Sequence, residues 1–225
     1  MQFKLISLDI FQTLVDVTSI KEKVWRIFLN GNYSSEIAKE GWDLATQKVL
    51  DYFSIEIIEK EEFETVKSIF SKCYLEVFHK LNIDFNHQKA AYILAHNHND
   101  AMPYSDTEKF MNFIGDKYTY IISSDADNDM VCGIKYLNKS DKIFTSEDLK
   151  CYKMSKDNGF FKTVLKHYKL NPNTILHIGD SAADIINPKK LGIKTCWINR
   201  NNTTWQYDIA PDYIFTGLEN VLDIL

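Results

Sequence analysis

The sequence predicts an α/β protein, a doubly wound parallel sheet interrupted near its start by an inserted helical domain. Three observations predict it. One strand pattern, residues 3–9, stands alone at the start of the chain. Residues 18–101 then show helical periodicity and almost no strand signal. From residue 102 onward, short apolar runs alternate with amphipathic helical stretches, the pattern of a parallel sheet covered by helices on both faces. The expected division is a core of residues 1–17 and 102–225 carrying an insert of residues 18–101.

The elements follow in order. In LISLDIFQTLVD, residues 5–16, Leu5, Ile6 and Leu8 read as a buried strand that ends on Asp9. The insert opens with a helix over 20–30, carrying Val24, Ile27 and Phe28 and stopping at Asn30-Gly31, a C-terminal signal. A second covers 35–53 with Ile37, Leu44, Val49 and Tyr52 on one stripe. A third, 62–81, repeats Phe63, Val66, Phe70, Cys73, Val77 and Leu81 at spacings of three and four. Residues 87–98 give a fourth. The aromatics Trp25, Trp42, Phe63, Phe70 and Phe78 are expected in the core of this bundle; His96 and His98, flanking Asn97 near the hinge, either reach the cleft or, more often for histidines two apart on a helix end, face solvent.

Past Met102-Pro103, Ser105-x-x-Glu108 reads as a capping box opening a short helix. Strands are expected at 118–124, 142–145, 174–180, 193–198 and 212–215. Helices are expected at 127–136, at 157–169 before Asn171-Pro172, and at 182–191 before Gly192.

Composition limits function. Of 225 residues, 45% are hydrophobic and 25% charged, as in an ordinary globular protein. No apolar run approaches a membrane span. A net charge of −5 argues against a nucleic-acid partner. The N-terminal stretch has no apolar segment followed by a small-residue cleavage site. Cys73, Cys132, Cys151 and Cys196 are scattered without a C-x-x-C pair, so reduced thiols in a cytoplasmic protein are expected.

The chemistry lies in the carboxylates. A buried strand does not end on Asp for packing reasons, because an ionised carboxylate loses hydration there. Two strands, 3–9 and 174–180, end on Asp9 and Asp180, and Asp184 follows one helical turn later. In an open α/β sheet, ligands bind at the carboxyl ends of the strands. If the two strands are neighbours, these carboxylates cluster, and hard oxygen ligands suit Mg²⁺. Taken singly, either Asp serves equally well as a helix cap. Ser124, closing a strand before a helix, is equally a phosphate-binding hydroxyl or an N-cap. Lys153 alone is a loop lysine of the kind usually left to solvent.

Four segments in order, DIFQTL (9–14), IISSD (121–125), SEDLKCYK (146–153) and HIGDSAAD (177–184), resemble the four motifs of the haloacid dehalogenase-like hydrolases. The closing LGIKTCWINR (191–200) and PDYIF (211–215) resemble the tail of that fold. The resemblance covers residues 1–17 and 102–225 and implies a Rossmann-like core with a helical cap of the family's first type at 18–101. It implies a nucleophilic Asp9 that forms a covalent aspartyl intermediate, oriented by Thr13. Ser124, rather than Ser123, would bond the transferring group, and Lys153 would neutralise it, with Lys156 the alternative because Met154 replaces the usual proline. Asp9, the main-chain carbonyl of Phe11, Asp180 and Asp184 would hold Mg²⁺. The partner implied is a small phosphorylated molecule.

Phe11 departs from the family pattern. It stands where most of the phosphatases carry a second Asp that protonates the leaving oxygen, and Gln12 stands where Gly is common. Three readings follow: a Mg²⁺-dependent phosphatase with a good leaving group or another proton donor, a 2-haloacid dehalogenase, whose aromatic residue at this position needs no acid, or a weakly active binding protein. The GDSAAD segment favours the first, since halide release has no evident need for Asp180 and Asp184 together.

Overall fold

The computed structural model describes residues 3–54 and 62–225. Its strands are β1 (Leu5–Leu8), β2 (Val15–Asp16), β3 (Met102–Pro103), β4 (Tyr120–Ser124), β5 (Lys142–Thr145), β6 (Ile175–Gly179), β7 (Lys194–Ile198) and β8 (Tyr213–Phe215). Six of them form one sheet in the order β5-β4-β1-β6-β7-β8, with β2 and β3 in a separate two-stranded sheet. Every pairing in the large sheet is parallel. The chain winds outward from β1 through β4 to β5, then returns to place β6 on the other side of β1. This reversal opens a crevice at the carboxyl end of β1, the position at which such sheets bind ligands. Leu8 pairs with Ile122 of β4 and with Ile178 of β6. The strand ends carrying Asp9 and Asp180 are therefore neighbours.

The chain divides into two compact units: residues 1–16, 103–125 and 134–225 form one, and residues 17–102 with 126–133 form the other. The first holds the sheet. Leu5, Ile121, Phe144, Phe160, Phe161, Val164, Ile175 and Ile193 make a buried cluster in which sheet residues meet the helix Gly159–Tyr168. Burying each such side chain contributes roughly 1.5–3 kcal/mol.

The second unit holds four longer helices among the described residues: α1 (Lys21–Leu29), α2 (Ser35–Tyr52), α3 (Val66–Leu81) and α4 (His87–Asn97). Side chains of Ser34, Thr65 and Asn86 cap the last three by accepting backbone N–H bonds. Trp25 is fully buried and meets Phe28, Tyr74 and Phe78 edge-on at 5.4, 6.3 and 6.3 Å. Gly41, in the interior of α2, would place an added Cβ 2.0 Å from the Trp25 ring. A glycine there costs helix propensity, and close approach of the indole explains it.

Several expectations change. Ser105 does not cap a helix: the helix runs from Thr107 to Lys117, its N-cap is Asp106, and that carboxylate is turned away to Arg200 and to the N–H of Leu218. The helix expected over 127–136 is one turn, Asn128–Val131, and a 3₁₀ turn at Lys135–Leu137. Residues 126–133 join the helical unit because both Asp127 oxygens accept bonds from Val66 N–H and Lys67 N–H at 2.8 Å, closing the start of α3. The helix expected at 182–191 is a 3₁₀ turn, Ala182–Asp184, followed by Ile186–Lys190. His96 is exposed, but His98 is buried, donates from Nδ1 to the Leu94 carbonyl and stacks on Phe70. Burial pulls its pKa down to about 4. No helix among the described residues is long and apolar enough to cross a membrane.

Gly41→Ala forces a methyl group into the Trp25 ring. The expected cost is about 1–3 kcal/mol, the usual range for overpacking, read as a lower midpoint in urea unfolding followed by tryptophan fluorescence.

Candidate active site

The site begins where β1 runs out. After Asp9 the chain makes a tight turn, with the N–H groups of Leu14 and Val15 bonding the Ile10 carbonyl at 2.7 and 3.1 Å. The turn requires a left-handed residue, and Gln12 supplies it at φ 62° without being glycine. Two contacts offset that strain: Gln12 N–H donates to the Val15 carbonyl at 2.7 Å, and Tyr104 OH donates to Gln12 Oε1 at 2.8 Å. The turn brings Thr13 back onto the strand end, where its hydroxyl donates to Asp9 Oδ2 at 3.0 Å. Arg200 fixes the same turn from behind. It donates to the Thr13 carbonyl at 2.8 Å, forms a bidentate pair with Asp106 and lies over the Tyr104 ring.

Lys153 stands at the centre. The residue is 2% exposed, and its ammonium donates to Asp9 Oδ1 at 2.8 Å and to Asp184 Oδ1 at 2.5 Å. Its backbone is held as firmly, since Lys153 N–H donates to Asp125 Oδ1 and Asn187 Nδ2 donates to the carbonyls of Lys153 and Ser155. Lys156, the alternative lysine, is an exposed side chain. Asp184 is engaged on both oxygens. Oδ1 also meets His177 Nε2 at 3.0 Å, and Oδ2 accepts from the N–H and hydroxyl of Ser181. Gly179 makes room for it, because a Cβ there would lie 2.2 Å from the Asp184 carboxyl carbon. Behind His177 the chain of bonds continues through Ser7 to Ser123. The Ser123 hydroxyl is therefore used inside the sheet. That of Ser124 is buried with no partner.

The charges do not balance. Burial pushes the Asp184 carboxyl up, but Lys153 and His177 outweigh it and hold it well below the usual range. Burial raises Asp9, and Lys153 only partly opposes this. Asp180 is raised well above the ordinary value by burial and by the charges of Asp9 and Asp184. Among the described residues its side chain hydrogen-bonds only the Thr13 hydroxyl, at 3.5 Å, forms no ion pair, and is opposed by the Lys153 charge only from a distance. Oxygen atoms of Asp9, Asp180 and Asp184 all lie within 4.8 Å of one another. Two acidic side chains short of positive charge, both with hard oxygen donors, suit a small divalent cation such as Mg²⁺. Asp9 and Asp180 fit that requirement best. Asp184 adds charge to the group while its oxygens hold Lys153.

All the residues expected from the sequence (Asp9, Phe11, Thr13, Ser124, Lys153, Asp180 and Asp184) lie in the unit that carries the sheet. Sequence reasoning missed Ser7, His177, Asp125, Asn187, Tyr104 and Arg200. His177 and Ser7 left one available signal, as polar residues inside otherwise apolar strands. Asp125 and Arg200 close the quoted segments IISSD and LGIKTCWINR without a role assigned to either, and Asn187 and Tyr104 left no signal.

Comparison with known proteins now defines the class. A family model described as haloacid dehalogenase-like hydrolase matches residues 38–198, and the chain belongs to that family. No curated protein sequence matches it. Among solved structures, the L-2-haloacid dehalogenase of Xanthobacter autotrophicus superposes with a TM-score of 0.82 at 15% identity, covering 99% of this chain and 98% of that one. A putative HAD-hydrolase from Bacillus subtilis, solved with bound magnesium, gives 0.81 at 15% identity, covering 100% and 99%. A further dehalogenase gives 0.81 at 19% identity, covering 99% and 97%. At these identities the likeness is one of fold.

Removing the central cation tests the arrangement. Lys153→Met leaves Asp9 and Asp184 buried without their partner, a change that typically costs about 3–5 kcal/mol. The sign with pH is definite. The depressed Asp184 carboxyl stabilises the native protein above the unfolded carboxylate pKa and loses that effect as pH falls. The deficit of Lys153→Met in urea unfolding is therefore expected to be full above the ordinary Asp pKa of about 4 and to shrink as pH falls below it.

Proposed function

We propose that this hydrolase is a Mg²⁺-dependent phosphatase that acts on a small phosphorylated molecule through an aspartyl-phosphate on Asp9. The observation that carries this reading is Asp180. A carboxylate beside Asp9 with no hydrogen-bonded cation of its own supports this reading, because together with Asp9 it offers the hard oxygen donors that a divalent cation takes. Such an ion would be held by Asp9, Asp180 and the Phe11 carbonyl, with Asp184 nearby. When bound it supplies neutralisation of carboxylate and phosphate charge.

The chain's own groups supply the remaining chemistry. Asp9 Oδ2, held by Thr13, is the attacking oxygen, because Oδ1 is occupied by Lys153. The unpartnered Ser124 hydroxyl is available to donate to a phosphoryl oxygen. Lys153 opposes the effect of burial on Asp9 by favouring its ionised form, and offsets charge as the phosphoryl group arrives. Attack forms the Asp9 Oδ2–P bond and breaks the bond from phosphorus to the leaving oxygen. Water then releases phosphate and regenerates Asp9. No nucleic-acid or membrane partner enters this reading.

One observation favours a second reading. Phe11 is aromatic where an acid is expected, which suits a 2-haloacid dehalogenase, whose leaving halide needs no proton. Phosphate release from a panel of phosphoesters, with and without Mg²⁺, run beside halide release from chloroacetate, separates the two. The expected result is phosphate release that requires Mg²⁺ and is abolished by a chelator.

Two substitutions sharpen the reading. Asp9→Asn is expected to keep the fold and remove turnover, since an amide does not form the acyl-phosphate. Asp180→Asn is expected to raise the Mg²⁺ concentration for half-maximal rate at least tenfold and, without Mg²⁺, to raise thermal stability at neutral pH. The stability gain follows from the raised Asp180 pKa, which makes its ionised form unfavourable in the folded protein.

A further inference from the structure

Phe11 leaves a phosphatase without its expected acid, and an alkoxide is a poor leaving group unless it gains a proton as its bond breaks. The sheet places one carboxyl near the required position. β1 and β4 run parallel with Leu8 opposite Ile122, so Asp9 stands level with Ser123. Asp125 lies two residues further along the strand direction, a rise of about 6–7 Å at the usual spacing. An in-line displacement that starts at Asp9 sends the leaving oxygen outward along that direction. Asp125 thus follows the phosphate-facing Ser124 on the leaving-group side of the phosphorus.

The side chain is built for more than a turn. It is part-buried, and Oδ1 accepts the backbone N–H of Lys153 at 2.9 Å, which ties it to the residue at the centre of the site. Among the described residues the other oxygen has no hydrogen-bond partner. Three charged groups act on it: Lys153 from the loop that its N–H anchors, Asp9 from the end of β1, and Asp184 from the turn after β6. Burial, followed by the two carboxylates, outweighs Lys153 and lifts the Asp125 pKa to about 7. That value suits a group that must give and take a proton near neutrality.

We infer that Asp125 is the general acid and base of this site, donating the proton of its free carboxyl oxygen to the leaving oxygen of an alkyl phosphate in place of the acid that Phe11 cannot supply. The inference rests on the phosphatase reading. As Asp9 Oδ2 bonds to phosphorus, the electron pair of the breaking P–O bond goes to the leaving oxygen. That oxygen takes the Asp125 proton and departs as an alcohol. The Asp125 carboxylate then accepts a proton from the water that attacks the aspartyl-phosphate, which restores the starting state.

The test compares glycerol 2-phosphate with p-nitrophenyl phosphate, whose leaving group needs no proton, in wild type and Asp125→Asn at saturating Mg²⁺. Asparagine keeps the Oδ1 acceptor for Lys153 N–H but carries no transferable acid proton. Losses are read in kcat/KM, which reports formation of the aspartyl-phosphate and not the hydrolysis common to both esters. The expected result is a loss of about 10²–10³-fold on the alkyl ester, less than threefold on the aryl ester, and loss of the basic limb of the alkyl pH profile near pH 7. Equal losses on both esters, or none on the alkyl ester, overturn the assignment. Should wild type hydrolyse neither ester, the phosphatase reading itself fails. Independently of turnover, ¹³C-carboxyl NMR of the metal-free protein is expected to show one Asp titrating near neutrality that is missing in Asp125→Asn. A folded wild type without such a signal overturns the inference.

Discussion

The Lys153 ammonium, buried between Asp9 and Asp184, is the interaction on which the site depends. A lone charge at 2% exposure would be prohibitive, and so would either carboxylate without it. Each becomes tolerable because the three are paired and their remaining hydrogen-bond capacity is met by Thr13, His177 and Ser181. These partners come from β1, the 150s loop and β6, so one ammonium fixes three chain segments at the carboxyl edge of the sheet. Asn187 and Asp125 hold the backbone of Lys153 itself. Its side chain therefore has little freedom to leave.

This arrangement pairs Asp184 and one oxygen of Asp9 with Lys153, and leaves Asp180 with only a long contact to the Thr13 hydroxyl among the described residues. A protein that needed only to fold would place an apolar or amide side chain at the end of β6, because clustered carboxylates raise one another's pKa and destabilise the native state at neutral pH. Here the cluster is retained where two neighbouring strands end, which is also where the topology opens a crevice. The cost is borne locally, and a divalent cation is the ligand class that would offset it.

The turn from Asp9 to Thr13 shows how an unusual residue is accommodated. Gln12 accepts a left-handed backbone that glycine would adopt freely. Its side chain repays part of that strain through Tyr104, and Tyr104 also stacks under the Arg200 that grips the Thr13 carbonyl. Asp106 gives up its role as helix cap to hold Arg200. The geometry of the Asp9 carboxylate is thus secured by residues distant from it in sequence and not by the turn alone.

The sequence by itself determined the strand and helix order, because hydrophobic periodicity is a local property: period two or continuous apolar runs for strands, spacings of three and four for helices. It also placed Asp9 and Asp180 at strand ends, and the resemblance of four motifs in order implied a lysine beside them, Lys153 with Lys156 as the alternative. Only the tertiary structure decided that β6 lies against β1, which turns two separate Asp residues into a pair. It also decided that Lys153 and not Lys156 is buried, that Asp184 spends its oxygens on Lys153, His177 and Ser181, and that Asp125 stands beside the lysine backbone. Ser105 failed as a cap, and residues 126–133 joined the helices, because Asp106 and Asp127 found stronger partners far along the chain. Long-range hydrogen bonds and burial set these choices, and neither is written in the spacing of neighbouring residues.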